Sequence, residues 1–120
     1  MTAKQVLCVL VPVRIESEAN RREHWRRVAA RKSEHREWAR LALAGTLAIV
    51  DPPCTITLTR IAPRDLDDDN LASGFKAVRD GVADWLGIDD GDKRLTWRYA
   101  QRRGKPKEYA AEIVIESEFV

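Results

Sequence analysis

Between residues 68 and 86 the apolar side chains Leu71, Phe75, Val78, Val82 and Trp85/Leu86 recur at spacings of three and four. That period predicts one amphipathic helix from about Asp68 to Leu86, stopped by Gly87. A stripe of this kind has to be covered by a second layer. The rest of the chain offers strands for the purpose. Leu7–Ile15 is rich in Val and Leu, and Cys54–Ile61 alternates with period two, putting Ile56 and Leu58 on one face. Leu95–Gln101 and Tyr109–Ser117 read as two more strands, with a hairpin over Arg102–Lys107 suggested by Gly104 and Pro106. A further helix is expected over Ser33–Ala44, capped by Ser33 and ended at Gly45, with Trp38, Leu41 and Ala42 on a common face. Ser17–Lys32 reads as a separate helix or a basic arm. The order β-α-β-α-β-β predicts a single α+β domain (α/β-like) over residues 1–120, a mixed sheet with helices packed on one face.

At 120 residues the chain has room for one hydrophobic core. Its longest apolar runs, Val6–Val13 and Leu41–Val50, fall short of the roughly 20 residues a membrane-crossing helix needs. The two cysteines, Cys8 and Cys54, are too few for a disulfide framework or a zinc site and read as small hydrophobes in strands of a reduced, intracellular protein. His24 and His35 form no nucleophile or ligand pattern and are expected to be exposed.

The net charge of +2 excludes little, but its distribution is uneven. Arg14–Arg40 holds nine Lys/Arg against five Glu, Arg64–Asp92 nine Asp against three Lys/Arg, and Lys93–Lys107 seven Lys/Arg with no acid. A charge run is usually a solvated face. The same pattern suits a protein that holds divalent cations in its middle and polyanionic phosphates on its flanks.

Two acidic clusters bracket the amphipathic helix: Asp65, Asp67, Asp68 and Asp69 before it, and Asp89, Asp90 and Asp92 after it. Helix capping accounts for one of the first group, whereas acids beyond a helix C-terminus oppose its dipole. An EF-hand loop starting at Asp65 fails, because Lys76 stands where the bidentate Glu belongs. A solvated acidic loop and a carboxylate magnesium site both remain. In the second, a metal activates water and neutralises charge on an attacked phosphate. Lys76 shares a helix face with Asp69 and Asp80, opposite the apolar stripe. It is either one half of a surface pair with Asp80 or a cation for a scissile phosphate.

The run Asp67-Asp68-Asp69-Asn70-Leu71, then Lys76 to Asp80, then Leu86-Gly87-Ile88-Asp89-Asp90, resembles the RusA family of Holliday junction resolvases. The resemblance implies a homodimeric crossover junction endodeoxyribonuclease, cytoplasmic and of phage or prophage origin, that uses Mg2+ or Mn2+ to cut branched DNA and has no membrane role. By the same resemblance Asp67, Asp69 and Asp90 match the essential acids and metal ligands, and Lys76 matches the catalytic lysine. Asp65, Asp68, Asp89 and Asp92 are the alternative ligands. One departure stands out: five residues separate Asn70 from Lys76, where the family's best-known form has two. Phosphate contacts are expected from Arg21, Arg22, Arg26, Arg27, Arg31 and Lys32, and from Arg98, Arg102, Arg103, Lys105 and Lys107. The rival functions are a nucleic-acid-binding protein of the same fold without catalysis, and an acidic metal- or protein-binding module.

Overall fold

The computed structural model describes residues 3–17 and 24–119. Its elements run β1 (Ala3–Val11), α1 (Trp25–Ala44), β2 (Cys54–Ala62), α2 (Asp68–Gly74), α3 (Lys76–Leu86), β3 (Leu95–Arg103) and β4 (Ala110–Phe119). The four strands form one mixed sheet in the order β1-β4-β2-β3. The α+β class, the mixed sheet and the helices on one face are as expected.

The strand pairing differs from expectation. β3 and β4 make no hairpin. β3 pairs in parallel with β2 alone, while β4 lies between β1 and β2, antiparallel to both. The connection after β3 therefore passes the end of β2. The inward side chains of β4, Ala111, Ile113 and Ile115, are completely buried, which suits a strand in the middle of the sheet. β2-α2-α3-β3 becomes a parallel crossover unit with β3 on the sheet edge.

Period-two alternation assigns the two faces. Ile56 and Leu58 of β2, Ile113 and Ile115 of β4, and Trp97 and Tyr99 of β3 turn toward Leu71, Phe75, Val78 and Val82. The stripe on residues 71–82 is buried as the sequence demands, but it belongs to two helices. Ser73 and Gly74 are weak helix formers, and α2 ends and α3 begins at Phe75, whose side chain is fully buried. A Cβ on Gly74 would sit 2.7 Å from the Glu16 carbonyl oxygen, so the joint between the helices is pressed against the irregular stretch after β1. Gly87, at φ 74°, ends α3 as expected.

α1 also departs from expectation. It is continuous from Trp25, with His24 rather than Ser33 as its N-cap, the His24 Nδ1 accepting from Arg26 N at 3.2 Å. Residues 25–32 are thus neither a separate helix nor an arm. The buried face of α1 is His35, Ala39 and Leu43, while Trp38 and Leu41 are exposed and Trp25 is 68% exposed, stacked on His24. α1 crosses α3 closely: a Cβ on Gly81 would lie 2.3 Å from the Arg36 carbonyl oxygen, so only glycine fits. Cys54 is buried; Cys8 is exposed on β1. Among the described residues no helix is long and apolar enough to cross a membrane.

Candidate functional site

The two acidic clusters dock on one face of the edge strand β3. Three alternate side chains do the anchoring. Trp97 Nε1 donates to the Asp90 carbonyl oxygen at 2.8 Å. The Tyr99 hydroxyl accepts from Arg79 Nη1 at 3.0 Å. Gln101 grips the backbone of Leu66 from both sides, its Oε1 accepting from Leu66 N at 2.8 Å and its Nε2 donating to Leu66 O at 2.7 Å. Trp97 and Gln101 are four residues apart, about 13 Å along an extended strand. The loop before α2 and the loop after α3 therefore sit at two points of one rail, with Arg79 between them.

Arg60 fastens the first loop from below. It lies on the inward face of β2 and is only 7% exposed. Its Nε donates to Ile15 O at 2.8 Å, and its Nη1 donates to Arg64 O. Burial lowers its pKa, but the guanidinium remains charged. A buried cation that donates to carbonyl oxygens holds three segments together: the irregular stretch after β1, β2 and the 64–66 loop.

The second cluster is heavily compensated. The Asp90 Oδ2 accepts from Lys76 Nζ at 2.9 Å and from Arg79 Nε at 2.8 Å. Arg79 Nη2 also donates to the Asp90 carbonyl oxygen at 3.1 Å, and its guanidinium stacks over the Trp97 ring at 4.6 Å. Hydrogen bonding from Lys76, outweighing partial burial and joined by Arg79, holds the Asp90 carboxyl below the usual range. Lys76 bridges to Asp80 Oδ1 at 2.8 Å, and these bonds, Asp80 first and Asp90 second, raise its pKa. Asp92 is held at about 2, chiefly by the Arg94 side chain. Asp89 accepts from Gly91 N at 3.0 Å.

The first cluster is the reverse. Asp67 occupies the N-cap position of α2 without a side-chain capping bond, and Asp68 and Asp69 fill the first turn. All three are exposed, and among the described residues none forms an ion pair. Asp65 alone has a partner, Arg103 at 3.7 Å.

Of the expected site residues, Lys76 and Asp90 come together directly, though 14 positions apart. Asp67 and Asp69 are docked on the same strand but do not join them in one ligand shell: among the described residues no three His, Cys, Asp or Glu side chains gather closely enough to hold an ion. Carboxylate oxygens suit a hard divalent cation in chemistry, and Asp67 and Asp69 are unengaged; Asp90 is already shared by two cationic side chains.

Of the expected phosphate contacts, Arg26, Arg27, Arg31 and Lys32 lie on α1, and Arg21 and Arg22 fall outside the described residues. Arg98, Arg102 and Arg103 are exposed on β3, with Arg102 near Glu112, and Lys105 and Lys107 are exposed in the loop after it. His24 is exposed as expected and His35 is not. His35 is buried, and His24 caps a helix. Arg60, Arg79 and Gln101 escaped the sequence reading. Arg60 and Gln101 carried a signal, since both fall on the inward parity of their strands, where a polar side chain needs a buried partner. Comparison with protein-family models and with curated proteins finds no match for the chain.

Proposed function

We propose that the protein is a metal-assisted endodeoxyribonuclease acting on branched DNA, as the resemblance to the RusA resolvases implies. The observation that carries this reading is the pairing of Lys76 with Asp90 on the strand to which Gln101 also fastens the Asp67–Asp69 segment. In this reading Asp67, Asp69 and Asp90 hold Mg2+, or Mn2+ in its place. The ion would supply an activated water and charge neutralisation at the attacked phosphate. The remaining work falls to the chain's own groups. Arg79 orients Asp90 through its carboxylate and its carbonyl. Lys76, its ammonium kept protonated by two carboxylates, turns to a phosphate oxygen and offsets charge that grows there. Arg98, Arg102 and Arg103 present positive charge along β3 to the backbone. Two nicks across a two-fold junction call for two copies of the site, hence a homodimer.

A second reading has a specific observation in its favour. With Asp90 engaged by Lys76 and Arg79 and no three-acid group among the described residues, the fold could bind branched DNA without cutting it. Incubating the protein with Mg2+ and a four-way junction, beside plain duplex and single strands, separates the two. Selective junction cleavage supports the nuclease. Salt-sensitive binding with intact DNA supports the second reading and defeats the first.

A further inference from the structure

The sheet has an open face. Helices cover the side bearing Ile56, Leu58, Trp97 and Tyr99, whereas Thr55 and Thr57 of β2 and Thr96 and Arg98 of β3 point the other way. At the end of that face where β2 and β3 begin lies a polar cavity of about 300 Å³, lined among others by Thr55, Thr96, Lys93, Arg94, Arg98 and Glu116. Register builds it: Thr55 pairs directly with Thr96, and Thr57 with Arg98. A backbone bond from Cys54 N to Arg94 O at 3.0 Å ties the 93–94 segment, which lines the cavity, to the start of β2.

The charges around this cavity are unequally spent. Arg94 is taken by Asp92, with two side-chain bonds at 3.1 and 3.0 Å. Glu116 is engaged in an interaction of its own. Lys93 and Arg98 are exposed and form no ion pair among the described residues. Two unneutralised cations and two hydroxyl groups thus converge on one concavity, a donor set that suits a phosphate oxyanion.

Its place relative to the acidic site is informative. The loop from Asp89 to Arg94 carries Asp90 on the helix-covered side of the sheet and Lys93 on the open side, and β3, the edge strand, lies directly after it. We propose that the Lys93/Arg98 cavity binds a backbone phosphate of the same nucleic acid that the Asp67/Asp90 side engages, so that the DNA passes around the β3 edge. This rests on the nucleic-acid binding common to both readings above and not on cleavage.

The test is binding in EDTA, where cleavage cannot intervene. A four-way DNA junction is titrated into the wild type and into the Lys93→Ala/Arg98→Ala variant across a range of salt, and the Thr55 and Thr96 amides are followed by NMR. The wild type is expected to show saturable shifts at both threonines. The variant is expected to lose them, to bind about tenfold more weakly, and to show a slope of log affinity against log salt smaller by about one to two. Since both side chains are exposed, an unchanged amide spectrum away from the cavity shows that the variant is folded. Junction binding that leaves Thr55 and Thr96 unmoved, or a variant with the wild-type slope, overturns the proposal. So does a response at these threonines to inorganic phosphate alone with none to DNA. Loss of cleavage in the wild type with these shifts intact would sink the nuclease reading and leave this site standing.

Discussion

The two acidic clusters are alike in composition and opposite in circumstance. In the one after α3 two of three acids are neutralised: Asp90 has Lys76 and Arg79, and Asp92 has Arg94. The one at the start of α2 carries three consecutive carboxylates, and among the described residues none has an ion pair. A neutralised acid contributes to stability and orientation. Bare neighbouring acids repel, and the positive end of the α2 dipole offsets part of that repulsion; in the proposed function these are the acids that take up an ion. The difference teaches that acids alike in type are set apart by what the fold brings to them: cationic side chains at Asp90 and Asp92, solvent at Asp67, Asp68 and Asp69.

The largest effect that would break this contrast is on catalysis. Asp67→Asn, Asp69→Asn and Asp90→Asn are each expected to lower Mg2+-dependent junction cleavage by about 10³-fold or more, while DNA binding stays within a few fold. Asp65→Asn is expected to be mild, since Asp65 is turned to Arg103; a loss as large as that of Asp69→Asn would mean that the pair of acids is 65/67. Next come the fasteners. Arg60→Leu leaves the carbonyls of Ile15 and Arg64 without their buried donor and should cost about 2–3 kcal/mol in denaturant unfolding. Gln101→Glu places a carboxylate oxygen against the Leu66 carbonyl and should cost about 1–2 kcal/mol. Its effect on cleavage should exceed its effect on binding, because it unseats the 65–69 loop.

Stability then separates the clusters themselves. Asp90→Asn should destabilise by about 1 kcal/mol, since it weakens two charge-assisted bonds, whereas Asp69→Asn should stay within about 0.5 kcal/mol. Equal losses would erase the contrast. The smallest effect is on pH dependence. The Asp90 carboxyl is depressed, so its contribution is present above the ordinary carboxylate range and fades as pH falls through its lowered folded value. Lys76 is raised, so its contribution holds below the ordinary lysine range and fades as pH rises through its elevated value. In Asp90→Asn the acid limb of the stability profile should flatten, and in Lys76→Met both limbs should.

Much of this was legible in the residues. The Leu71-to-Val82 stripe, the alternation in Cys54–Ile61 and the Gly87 stop state their structures locally, because side-chain period and backbone conformation are local properties. The Lys76–Asp80 pair follows from helical spacing alone. Pairing partners are not local. Gly104 and Pro106 announce a turn, yet a turn does not say which strand the chain joins after it, and β4 lies between β1 and β2. The face of α1 is not legible from its residues because its contact with the body is narrow, so exposed Trp38 and Leu41 outweigh buried Ala39 and Leu43 in any apolar count. At the site, the acids and Lys76 stood out by type. Arg79, Arg60 and Gln101 act through distant backbone groups, and only the fold brings those within reach.

In the proposed function Asp69 and Asp90, on opposite ends of the helical segment, serve one ion. Calorimetric titration of Mg2+ into the wild type, Asp69→Asn and Asp90→Asn addresses it most directly. Both variants are expected to bind at least tenfold more weakly than the wild type. Wild-type affinity in Asp90→Asn, with binding lost only in Asp69→Asn, would show that the clusters work apart.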